Sequence, residues 1–66
     1  MKTKFIELDE VKRGLQLVNT DYIHSIAVDE NEVVLVWLVL GDELQSIAVR
    51  DSYESILERL NAEWTR

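Results

Sequence analysis

The sequence predicts one α+β domain over residues 1–66: an antiparallel five-stranded β-meander followed by a single C-terminal amphipathic helix. Three observations predict it. Between Gly14 and Gly41 the apolar residues follow strand spacing. Short polar segments such as Asp29-Glu30-Asn31-Glu32 punctuate them. After Ser52 the apolar residues recur at three- and four-residue steps.

Residues 2–8 read as the first strand, with Ile6 and Leu8 on one face and Phe5 and Glu7 on the other. Asp9 and Glu10 turn the chain into a second strand over residues 11–18, where Gly14 marks an expected bulge. Asn19-Thr20-Asp21-Tyr22 reads as a turn or a single helical turn, because Asn and Asp side chains compete for nearby amides. Residues 23–28, 33–40 and 44–49 supply the third, fourth and fifth strands, separated by the acidic loop and by Gly41-Asp42-Glu43. Loops this short predict each strand beside its predecessor, either open or curled as an SH3-like, partly open barrel.

Residues 52–64 form the helix. Tyr53, Ile56, Leu57, Leu60 and Trp64 make one stripe, while Glu54, Ser55, Glu58, Arg59 and Glu63 face away. Ser52 is the expected N-cap, and Asp51 closing a box with Glu54 is the alternative frame.

A chain of 66 residues buries about 60% of its unfolded surface. It contains no cysteine, so neither disulfides nor thiolate metal sites support it, and oligomerisation is the remaining common means. The formal charge of −6 disfavours a phosphate backbone as partner. Lys2, Lys4, Lys12 and Arg13 are the local exception, read as edge protection for the first hairpin. No apolar export segment follows the first lysines, and no run approaches the roughly 20 residues of a membrane span. The expected location is cytoplasmic, away from membranes.

Residues 33–40 carry the most information. A half-exposed strand alternates, yet here Val34, Val36, Leu38 and Leu40 occupy one face and Val33, Leu35, Trp37 and Val39 the other. Both faces need cover. Burying a tryptophan removes about 150–250 Å² from water, at about 25 cal/mol per Å², which is large against the stability of a small domain. The flanking Glu30, Glu32, Asp42 and Glu43 read as gatekeepers against aggregation.

Residues with chemical potential are sparse. His24, Ser25 and Asp21 contain the residue types of a hydrolase triad, but neighbouring strand residues point to opposite faces, so His24 and Ser25 are expected to diverge. The acids of residues 29–32 lack calcium-loop spacing and read as a solvated hairpin tip. Gly14 and Gly41 stand alone, without a phosphate-cradling loop. No catalytic, cofactor or metal site is assigned.

From Asn19 onward the pattern Asn19-x-Asp21-x-Ile23-x-x-Ile26, an acidic turn, a Val-rich strand, Gly41, then Val49-x-Asp51-Ser52-x-Glu54-x-Ile56 resembles the FlbD-like small bacterial and phage proteins of unknown function. The same region is similar to the core of LytTR-type domains, a resemblance that implies nucleic-acid binding.

The leading expectation is a non-enzymatic protein–protein interaction or assembly module that self-associates, as a dimer first, through Val33, Leu35, Trp37 and Val39. The alternative is an acidic inhibitor or regulator, of phage-encoded type, that binds a basic protein partner through Asp29, Glu30, Glu32, Asp42 and Glu43. LytTR-like nucleic-acid binding is third.

Overall fold

The computed structural model describes the backbone of residues 5–64 and the side chains of residues 5–61. Five strands, β1 (Phe5–Glu10), β2 (Gly14–Asn19), β3 (Ile23–Val28), β4 (Val34–Leu40) and β5 (Glu43–Val49), precede one helix, α1 (Tyr53–Trp64), with a 3₁₀ turn at Thr20–Tyr22. All ladders are antiparallel and lie in one sheet of order β2-β1-β5-β4-β3. The α+β architecture of five strands and a C-terminal helix is therefore as expected.

Pairing departs from the expected neighbours at one place. β1 pairs with β2, β3 with β4 and β4 with β5, but β2 and β3 lie at opposite edges, and β1 meets β5 through Glu10 and Val49. Burial explains this arrangement. A flat row of strands would leave one helix to cover every inward side chain. With the β1–β2 hairpin folded over instead, Ile6 and Leu8 share one core with Val34, Val36, Val49, Ile56 and Leu60. The connection enforces that fold. Laid flat at about 4.8 Å between strands and about 3.4 Å per residue, the registers put Asn19 about 35 Å from Ile23. The few peptide units joining them reach at most about 15 Å. The sheet must therefore curl, leaving an open seam between β2 and β3.

Each turn has a local cause. β1 continues through Glu10, and the turn is Val11-Lys12-Arg13 rather than Asp9-Glu10. Gly14 is not a mid-strand bulge. It opposes Glu10 at φ +81°, taking the left-handed position that closes a three-residue hairpin. Gly41 has φ +65° and starts the two-residue β4–β5 turn between Leu40 and Glu43, the position where a type II′ turn requires glycine. In the β3–β4 loop the left-handed residue is Glu32, at φ 64°. Asp29 compensates, its Oδ1 accepting from the N–H groups of Asn31 at 2.8 Å and Val33 at 2.9 Å. Asn19 caps the 3₁₀ turn by accepting from the Asp21 N–H at 2.9 Å.

Helix α1 is capped by Ser52, whose Oγ accepts from the Ser55 N–H at 3.1 Å, so the Ser52 frame holds. Ile56 and Leu60 are buried, whereas Tyr53 and Leu57 are 39% and 36% exposed, so the fully packed stripe is narrower than expected. The Trp64 and Glu63 side chains lie outside the described residues.

Asp51 does other work. Where β5 gives way to the helix, β1 still has main-chain groups facing that side. Asp51 Oδ1 accepts from the Asp9 N–H at 2.7 Å, and the Asp9 carbonyl accepts from the Arg50 N–H at 2.8 Å. Arg59 donates to Asp51 Oδ2 and to Ser55 Oγ, each at 2.8 Å, and also to the Glu7 carbonyl. Arg59 was expected to face away from the core, but it ties the helix to β1. Burial alone would raise the Asp51 carboxyl. The hydrogen bonds from Arg59 and the Asp9 N–H, with the Arg59 charge, outweigh it and hold the group below its ordinary value of 3.8.

Two outcomes are expected from chemical denaturation. Glu32→Gly should raise stability by about 1 kcal/mol, since glycine occupies the left-handed region without the steric penalty of a side chain. Asp51→Asn should cost about 1–2 kcal/mol at neutral pH, as a charge-assisted contact at a partly exposed site is lost. The lowered Asp51 pKa means that the unfolded chain takes up this proton first. Its stabilisation is therefore complete above the ordinary value of 3.8 and is lost as pH falls through the lower folded value. Denaturation at pH 7 and pH 3 should show the gap between wild type and Asp51→Asn shrinking in acid.

Candidate functional site

The inner face of β4 is closed over its first half, where Val36 is inaccessible and Val34 nearly so, and opens toward Leu40, which is 42% exposed. The outer face carries Leu35, Trp37 and Val39, and α1 cannot cover it because the helix packs on the other side. The ladder registers show what flanks this row. Trp37 stands between Ser25 on β3 and Ser46 on β5, and Leu35 stands between Ala27 and Ala48. A ridge of large apolar side chains is thus bordered on both sides by small ones.

Leu35 and Trp37 are half-buried, whereas Val39 is 40% exposed and its opposite partner Leu44 49% exposed. Val33 is also half-buried but precedes β4. It closes the loop through its N–H to Asp29 and is not part of the ridge. On the β5 side the trough deepens into a groove of about 260 Å³, lined among others by Val11, Lys12, Leu35, Ser46 and Ala48. The β1–β2 turn forms one wall, held by the Val11 N–H donating to the Ala48 carbonyl at 2.9 Å. This volume is below the roughly 300–1,000 Å³ of small-molecule pockets and suits a side chain better than a substrate.

The acidic residues do not gather. Asp29, Glu30 and Glu32 lie before β4 while Asp42 and Glu43 lie after it, so the two tips sit at opposite ends of a seven-residue strand. Asp29 is moreover engaged in its own loop. Of the basic residues, Lys12 and Arg13 occupy the β1–β2 turn rather than the strand edge they were expected to protect, and Lys2 and Lys4 lie outside the described residues. Arg13 Nε is 3.9 Å from Oε1 of the buried Glu10.

His24 and Ser25 do not diverge. A register break between Ile23 and Ser25 interrupts the alternation, and His24 Nδ1 lies 3.1 Å from Ser25 Oγ. Both are exposed, and among the described residues no carboxylate is recorded on the ring, so the pair lacks an orienting third group. No cluster of three or more metal-ligating side chains occurs among the described residues. No helix there is long and apolar enough to cross a membrane.

Comparisons with protein-family models, curated proteins and solved structures found no match to this chain.

Leu44 and the small residues of β5 belong to the same surface, although sequence reading singled out only residues of β4. The signal was available in the register: the two-residue turn fixes Leu44 opposite Val39 and Ser46 opposite Trp37. The two faces should respond differently to mutation. In dilute solution Val36→Ala should cost about 2 kcal/mol through a core cavity. The double change Val39→Lys with Leu44→Lys should stay within about 0.5 kcal/mol. Urea titration of both variants checks this.

Proposed function

We propose that the chain is a non-enzymatic assembly module that self-associates through the outer face of β4 and β5. The observation that carries this reading is the ridge of Leu35, Trp37 and Val39 beside a trough of Ser46 and Ala48. Such a surface is self-complementary. Turned about a two-fold axis, the ridge of each copy enters the trough of the other, as an isologous contact requires. The driving force is removal of Trp37, Val39 and Leu44 from water, at about 25 cal/mol per Å² of apolar surface. A side-chain-sized groove favours this over small-molecule binding. Acidic tips at opposite ends favour it over capture of one basic partner.

Light scattering across a concentration series tests the proposal. The mean mass of the wild type should rise above the 7.7 kDa of one chain. Trp37→Asp, which places a charge on the ridge, and Ser46→Arg, which fills the trough, should each lower it. A wild type that stays at the single-chain mass, or a mass unchanged in both variants, overturns the reading.

A further inference from the structure

A second surface, away from the β4 ridge, is open along its main chain. Among the described residues, β2 is an edge strand paired on one side only. The direction of its free groups follows from its neighbour. The Asp9 N–H and carbonyl and the Glu7 carbonyl all point away from β2, toward Asp51, Arg50 and Arg59. Leu15 and Leu17 stand directly opposite Asp9 and Glu7. These are therefore the non-hydrogen-bonded pairs of the ladder, and the N–H and C=O groups of Leu15 and Leu17 face the free edge.

Their side chains lie on the outer face at 68% and 67% exposure. Edge strands are ordinarily blunted by charge, proline or a bulge. β2, Gly14-Leu15-Gln16-Leu17-Val18-Asn19, has no charge and no proline, and its register with β1 is unbroken. The other edge, β3, has its register break at His24.

We infer that β2 pairs antiparallel with β2 of a second copy, about a two-fold axis at Gln16. The main chain restricts the register, because residues facing one another must both direct their polar groups across the junction. Centring on Gln16 satisfies this for Leu15 and Leu17. It also sets Leu15 opposite Leu17 of the second copy and Leu17 opposite its Leu15, each pair exchanging two main-chain hydrogen bonds. The same uncharged strand thus supplies both halves of the contact, which selects a second copy over an arbitrary peptide. It also brings no like charges together in a chain of net charge −6.

Amide exchange of Leu15 and Leu17, followed by NMR in dilute and concentrated samples of wild type and Trp37→Asp, tests this separately from the β4 surface. Both amides should exchange freely when dilute and slow by about tenfold or more on concentration, in both proteins. Free exchange at high concentration overturns the pairing whatever happens to the light-scattering mass. Protection that disappears in Trp37→Asp overturns it as an independent junction. A cysteine supplies a second readout, since the native chain has none. Facing residues of a non-hydrogen-bonded pair lie about 4.5 Å apart at Cα, within disulfide range. Folded Gln16→Cys should form a disulfide-linked dimer on mild oxidation, while Glu54→Cys on the exposed helix face forms none. Folded Gln16→Cys that remains a free thiol overturns the register.

Discussion

Asp51 and Arg59 close the junction between two halves of the molecule by bonding across it to Asp9 and Glu7. β1 and β5 share one ladder pair, Glu10 with Val49. Beyond it the main chain of β1 would face a gap, and unsatisfied N–H and C=O groups there would cost about as much as lost hydrogen bonds. One carboxylate and one guanidinium fill that gap, joining Asp9, Glu7, Ser55 and the start of the helix. With those main-chain groups satisfied by this bracket, the hairpin folds over where burial favours it, and Ile6 and Leu8 share one core with Val36 and Ile56.

Folding the hairpin over the β3–β4–β5 face also decides what stays uncovered. A small domain has few elements with which to shield itself. Here the helix and the hairpin strands both go to the inner side, and among the described residues only the β1–β2 turn borders the outer β4–β5 surface. The small residues beside Trp37 let its ring sit half-buried, while Val39 and Leu44 remain open to water. Leu15 and Leu17 project from the outer side of the hairpin, a different surface from the ridge.

Strand and helix positions were legible because alternation, turn residues and the helical stripe act locally. The third strand matches its expected span of residues 23–28, and the Ser52 cap is in place. What was not legible depends on contacts distant in sequence. The β1–β5 pairing arises from burial of Ile6 and Leu8, which no local pattern encodes. The His24–Ser25 contact needed a register break that no glycine announced. Arg59 looked like a solvent-facing charge, yet Asp51, Ser55 and Arg59 recur every four residues along one flank. That spacing was the one available sign of the bracket. The candidate surface was half legible: the apolar ridge lies in the composition of β4, but the trough beside it needed the register of β5.

The lone Glu10–Val49 pair gives the molecule unequal seams. β4 and β5 are sewn together over seven residue pairs and β1 and β2 over six, while the two pieces meet at one ladder pair, the main-chain bonds beside it, the contacts of Asp51 and Arg59 with Asp9 and Glu7, and the shared core. Cooperative units separate first where the fewest contacts join them. The N-terminal hairpin is accordingly joined to the rest of the sheet through its buried side chains more than through its ladder, and acid, by discharging Asp51, weakens that junction. The side chains that parting there would expose are Ile6 and Leu8, so this seam rests on the apolar interior more than on main-chain pairing.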